Sequence, residues 1–211
     1  DRCCVLVGSG GNGKSSAQSA LEQNIFLPGT VAHISPQKWG QDYAVSQLCG
    51  KLLNIVSELP NERMSESDVF KSVITGDIVH ARDPYKAPYE FRPKAGHLFA
   101  CHELPAAGDL TEGFWSRFVF LTFNRNFRSD PAAWESRDSI LARIHTEAAG
   151  VAVWALNGAV RLLRHGYTIP STSAEVRDEW QRESCSVREW AELSIVTSLD
   201  NKITTAELYR T

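Results

Sequence analysis

A chain of 211 residues, 43% hydrophobic and 22% charged, is long enough to bury a sizeable core and too apolar for a disordered segment. Its net charge of -3 excludes a globally basic nucleic-acid binder, so any such contact must be local. No apolar run reaches the roughly 18 residues of a membrane helix, and no charged segment followed by an apolar one opens the chain, so a cytoplasmic protein is expected. The first residues run straight into a strand and the last, 204–209, read as a helix just begun, which is the pattern expected of a piece of a longer polypeptide.

Residues 3–7 form an apolar run that reads as a strand. Directly behind it, Gly8-Ser9-Gly10-Gly11-Asn12-Gly13-Lys14-Ser15 matches the phosphate-binding pattern G-x-x-x-x-G-K-S/T. Such a loop turns backbone N–H groups toward the phosphates, places a lysine on the β/γ charge and reaches Mg²⁺ with a hydroxyl. Gly8, Gly10, Gly11, Asn12, Gly13, Lys14, Ser15 and Ser16 are therefore the expected nucleotide-binding residues, with ATP and Mg²⁺ as ligands. Residues 15–23 follow as a helix whose positive N-terminus faces the same phosphates.

Further along, 31–34 reads as a second strand, 42–51 as a helix and 52–56 as a buried strand ending at Ser57 and Glu58. A helix capped by Ser67 covers 68–75 and stops at Gly76. Two strands between 78 and 91 enclose the turn Asp83-Pro84-Tyr85-Lys86, a hairpin-like excursion. Residues 97–101 and 118–123 are two more apolar strands. The second half is helical: 132–146 behind Asp130-Pro131, then 148–164, then a long helix over 173–197. Trp154, Leu156, Val160 and Leu163 fall at helical spacing, as do Val176, Trp180, Val187 and Trp190, and both sets read as core stripes. The fold class expected is α/β, a parallel-sheet nucleotide-binding core over 1–128 with flanking helices, followed by a small all-helical part over 129–211.

Five cysteines, Cys3, Cys4, Cys49, Cys101 and Cys185, contain no C-x-x-C pair and read as reduced, buried residues rather than metal ligands. Hydrolysis needs a carboxylate to hold magnesium or orient water, and positive charge for the transition state. Glu58 ends the strongly apolar strand of the right interval and is the candidate carboxylate. The competing reading makes it a solvated residue opening the Leu59-Pro60 turn, with Glu62 and Glu66 equally acidic neighbours.

These segments, taken together in order over residues 5–127, resemble the helicase portion of phage and plasmid primase-helicases. That group is the superfamily 3 branch of AAA+ ATPases, which includes poxvirus and papillomavirus replicative helicases. The resemblance rests on the loop ending Asn12-Gly13-Lys14-Ser15 and the strand ending Val56-Ser57-Glu58. It continues through residues 70–77 with Ala81-Arg82-Asp83-Pro84-Tyr85-Lys86, then 98–105, and finally Gly113-Phe114-Trp115-Ser116-Arg117-Phe118. It implies that Lys14 binds the β/γ-phosphates, that Ser15 and Glu58 serve the magnesium, and that Glu58 polarises the attacking water. It makes His102 a γ-phosphate and water contact, and Arg117 an arginine finger reaching a neighbouring subunit's nucleotide. A homo-oligomer, usually a hexamer, 3′–5′ movement on single-stranded or forked DNA, and a primase domain in the full-length polypeptide are implied with it. Three positions depart from the family pattern: Ser57 replaces a second acidic residue, His102 an asparagine, and Ser116 a second arginine.

Around the expected hairpin, His80, Arg82, Lys86 and Arg92 interleave with Tyr85 and Tyr89, a pattern suited to tracking single-strand phosphates beside a stacked base. Asp77, Asp83 and Glu90 dilute the charge, so a merely solvated hairpin competes with this reading. Two other functional readings stay open: a nucleotide-binding assembly module that orders a ring with little motor activity, and a small-molecule P-loop kinase. The kinase has only the generic loop in its favour.

Overall fold

The structure, a computed structural model, describes residues 1–41, 43–64, 67–130 and 135–185. Seven strands are present: β1 (Cys3–Val7), β2 (Val31–Ala32), β3 (Leu53–Val56), β4 (Val79–Ala81), β5 (Tyr89–Phe91), β6 (Gly96–Cys101) and β7 (Phe118–Thr122). Five of them form a parallel sheet in the order β2-β3-β6-β1-β7, and β4 and β5 pair separately as an antiparallel hairpin. The central strands are buried on both faces, which is why they read as continuous apolar runs and not as alternating ones. Their register sets Val7 opposite Cys101 and Thr122, and Val56 opposite Phe99, so the segments leaving β1, β3 and β6 emerge along one edge.

The two faces are packed differently. On one, Cys3, Val5, Val56, Phe99, Cys101, Phe118 and Phe120 meet an aromatic layer that includes Trp39, Phe70, Phe114, Trp115 and Trp180. That layer comes largely from α2 (Ser67–Thr75), α3 (Glu112–Trp115) and α6 (Ser171–Ser184). Trp180 stands edge-on to Phe118 and Trp115, with centroids 4.9 and 4.8 Å away, and donates its indole N–H to the Pro105 carbonyl at 2.6 Å. On the other face a smaller aliphatic set, Leu6, Leu53, Ile55, Leu98 and Ala100, is covered by α1 (Lys14–Ile25) with Leu21 and Phe26. Against α1 lie α4 (Arg137–Thr146) and α5 (Ala148–His165).

Several expectations shift. The helix expected over 42–51 is only a 3₁₀ turn at Val45–Leu48, with residue 42 outside the described residues. Val45 and Leu48 are buried at the i, i+3 spacing that a three-residue turn superimposes. The next helix starts at Arg137 behind Ser136, whose hydroxyl accepts from the Ser139 N–H at 3.2 Å, and not behind Asp130; residues 131–134 lie outside the described set. On α5 the supposed core stripe faces solvent: Trp154 is 68% exposed and Leu163 87%, with Leu156 and Val160 also exposed. The half-buried positions are instead Ala148, Val151, Ala155 and Gly158, small residues that let α5 approach its neighbours closely. Val176 and Trp180 do join the core; the helix that carries them ends at Ser184 with Cys185 extended, and Val187 and Trp190 fall outside the described residues. Among the cysteines, Cys3 and Cys101 are buried, Cys4 and Cys185 partly so, and Cys49 is exposed, contrary to the expectation for it.

Candidate nucleotide site

The turn from β1 into α1 adopts backbone conformations that require glycine. Gly11 has φ +77° and Gly13, the residue before α1, φ +89°. Helix α1 has no side-chain cap and no acidic residue in its first turn. Its leading N–H groups are therefore left for an anion. Ser15 is exposed at the start of the helix and Ser16 half-buried behind it. Lys14 is turned inward: its ammonium donates to the carbonyls of Gly8 at 2.5 Å and Ser9 at 3.0 Å and to Asn12 Oδ1 at 3.1 Å, leaving the residue 5% exposed.

Glu58 and His102, picked out on separate segments, meet beside this loop. The His102 N–H donates to Glu58 Oε1 at 3.0 Å, and His102 Nε2 lies 3.7 Å from Glu58 Oε2. Both side chains are about half exposed, at 53% and 52%. A Cβ built on Gly10 would fall 3.5 Å from His102 Cε1. Burial first, and then the Glu58 charge, pushes the neighbouring Cys101 thiol up to about 12 against the opposing charge of Lys14. The cause is the shared edge: β6 lies between β1 and β3, so the residues following Val56 and Cys101 flank those following Val7. Ser57 is exposed on the same turn.

One wall of the site was not foreseen. Behind β7 the chain doubles back over the loop: the Phe127 N–H donates to the Gly11 carbonyl at 2.9 Å, and Asn12 donates its amide to the Phe123 carbonyl at 2.7 Å. A Cβ on Gly8 would meet that amide and that carbonyl at 2.5 Å, so the loop tolerates no side chain there. Between loop, strap and α4 opens a cleft of about 1030 Å³ lined by Lys14, Phe127, Arg125, Arg128, Arg137 and Arg143, among others. The signal in the sequence was the Arg125-Asn126-Phe127-Arg128 run just past the last apolar strand, which reads as a polar loop until its return across the glycines is known.

Arg117 is not brought to this site. It precedes β7, at the amino end of a strand parallel to β1, whereas the phosphate loop leaves the carboxyl end of β1. Five strand residues, roughly 17 Å, separate the two edges. Arg117 donates to the carbonyl of Gly113, and its own carbonyl accepts from the Cys3 N–H at 2.8 Å.

The hairpin forms as expected, with Val79 opposite Phe91 and Ala81 opposite Tyr89. His80, Arg82, Lys86 and Arg92 are all exposed. His80 lies 3.4 Å from Glu90 and Lys86 3.2 Å from Asp83, while Arg82 donates to the Lys86 carbonyl and Arg92 to that of Gly76. Tyr89 has its hydroxyl 3.5 Å from Asp83, but Tyr85 at the tip is fully exposed.

No helix among the described residues is long and apolar enough to cross a membrane, and none of their His, Cys, Asp and Glu side chains gather as a group of three for a metal. Among solved structures the chain is similar to the NrS-1 C-terminal region. An apo structure of its residues 305–718 aligns with a TM-score of 0.62 at 15% identity, over 99% of this chain and 52% of that one. The A form of the same region aligns with a TM-score of 0.61 at 16% identity, over 88% and 43%. The chain thus spans about half the length of the solved structures it matches, and at these identities the likeness establishes a shared fold. Comparison with curated proteins gives no match. The chain belongs to the family of unknown function DUF5906, whose model matches residues 6–117.

Proposed function

We propose that this chain is the ATP-dependent DNA helicase module of a phage, prophage or plasmid replication protein of the superfamily 3 AAA+ type. In this reading residues 1–128 form the ATPase core and 129–211 a helical region. The observation that carries it is the meeting of the phosphate loop, Glu58 and His102 on one sheet edge, because three separate segments singled out for complementary tasks converge there. The loop and the uncapped start of α1 hold the phosphates, and Lys14 turns from the loop carbonyls to the β/γ charge. Ser15 and Glu58 are oxygen donors of the kind Mg²⁺ takes, few enough for an ion that keeps most of its waters. Held by these two residues, Mg²⁺ would supply neutralisation of the phosphate charge. Glu58 orients the attacking water, and the His102 N–H fixes the carboxylate that does so. Arg117, on the opposite edge, serves the nucleotide of a neighbouring copy in a closed ring, a head-to-tail assembly. The exposed hairpin carries His80, Arg82 and Lys86 to single-stranded DNA.

ATP turnover measured against protein concentration, with and without single-stranded DNA, tests the reading. It expects turnover rising more than linearly, quickened by DNA, and lost in Lys14→Ala and Glu58→Gln. Lys14-dependent binding with no turnover would instead support a module that assembles on DNA without driving it. For the hairpin, Lys86→Ala should lower single-strand affinity and reduce the salt slope by about one. Unchanged binding at low salt would remove the hairpin from the DNA path.

A further inference from the structure

We infer that Arg128 is a phosphate ligand supplied by the same chain as the loop, so that the strap over residues 123–128 clamps the polyphosphate of a nucleoside triphosphate from outside. The inference rests on the nucleotide-site reading above and adds a recognition residue to it.

The aliphatic stem of Arg128 lies on the phosphate loop. A Cβ on Gly11 would sit 2.9 Å from both Arg128 Cγ and Cδ, so the glycine that gives the loop its left-handed turn also makes room for this side chain. Three hydrogen bonds, one of them between backbone groups, hold the strap in that place. Phe127 N–H bonds to Gly11, Asn12 bonds to the Phe123 carbonyl, and the Arg128 N–H bonds to Asn126 Oδ1 at 2.9 Å. The Phe127 ring lies alongside, 3.7 Å from where a Cβ on Gly13 would be.

The other arginines of the cleft are occupied. Arg125 pairs with Asp130 at 3.1 Å and lies over the Phe127 ring at 5.0 Å, Arg137 donates to Ser19 Oγ at 2.6 Å, and Arg143 pairs with Glu135 at 2.9 Å. Lys14 reaches phosphate only by leaving the carbonyls of Gly8 and Ser9. Among the described residues the Arg128 guanidinium has no hydrogen bond or ion pair, its stem lies on Gly11 of the loop, and it lines the same cleft as Lys14 and Ser15. A guanidinium held this way presents a planar fork of donors to phosphate oxygens with little freedom left to lose. Arg117 cannot do this task within one chain, since it stands at the other edge of the sheet.

The test uses the whole chain with Mg²⁺ and two probes, ATPγS by titration calorimetry and AMP by competition against a fluorescent ATP analogue. Arg128→Met keeps the stem on Gly11 and removes the charge. It should weaken ATPγS about tenfold or more and leave AMP within about twofold, with Arg128→Lys recovering part of the loss. ATPγS binding equal to wild type, or an equal loss for both nucleotides, would overturn the inference while leaving the site intact. If the wild-type chain binds neither probe, or Lys14→Ala binds ATPγS as well as wild type does, the nucleotide reading fails and Arg128 goes with it.

Discussion

Tyr85 holds a backbone conformation that costs it free energy and exposes a ring that gains nothing from the fold. Its φ is +62°, at a corner closed by the Lys86 N–H donating to the Asp83 carbonyl at 3.1 Å, where turns normally place Gly or Asn. A left-handed non-glycine residue costs roughly 1–2 kcal/mol, against which glycine's greater unfolded entropy sets about 0.5–1. Tyr85→Gly should therefore leave unfolding free energy unchanged or higher by up to ~1.5 kcal/mol. It should also weaken single-strand binding by the ~1–3 kcal/mol of one stacked base. A variant that is less stable, or binds DNA as before, would make Tyr85 an ordinary turn residue. In the sequence His97 reads only as part of an apolar strand. It is buried against Trp39, 4.9 Å between centroids, and near Asn54, 3.5 Å from its Nδ1. Burial first, and then the charge of the amino terminus, lowers its pKa from 6.5 to about 3. Between those values the unfolded chain binds more protons. The contribution of His97 is thus whole above pH 6.5 and is lost as pH falls toward 3. His97→Gln should flatten the acid side of the stability curve, and parallel curves for the two proteins would contradict it. The phosphate loop, Glu58 and His102 stand out in the sequence because phosphate chemistry restricts residue types at fixed spacing, whereas Arg128 does not, because its partner, the backbone at Gly11, carries no side-chain signal.

At the scale of elements, the buried strands were plain in the sequence because two-sided burial writes continuous apolar runs, and β3 and β6 appear within a residue or so of where those runs lie. Helix faces were harder. The apolar spacing of Trp154 and Leu163 is as regular as that of Val176 and Trp180, yet only the second pair meets the sheet. Periodicity says that a helix has a face, and tertiary placement says what covers it. Two substitutions separate the cases. Trp180→Ala opens the aromatic layer and breaks the bond to Pro105, and should destabilise by about 3–5 kcal/mol. Trp154→Ser should stay within about 0.5 kcal/mol. Equal costs in denaturant unfolding would mean that α5 is packed elsewhere than on α1.

For the whole molecule, the parallel sheet with helices on both faces follows from alternating strand and helix signals, and the similarity to the NrS-1 C-terminal region is of the same kind. Arg117 and the phosphate loop stand on opposite edges of one sheet, so the arginine-finger role proposed for Arg117 requires a second copy of the chain. In a head-to-tail ring the two edges of neighbouring copies face each other, and the separation becomes a working arrangement. Mixing Lys14→Ala with Arg117→Ala measures this directly. Each variant alone should be inactive. In an equimolar mixture about a quarter of interfaces join an intact loop to an intact finger in a head-to-tail ring, so DNA-stimulated ATP turnover should return to that order. Turnover no greater than the sum of the two inactive proteins would contradict a shared site and, with it, the ring motor.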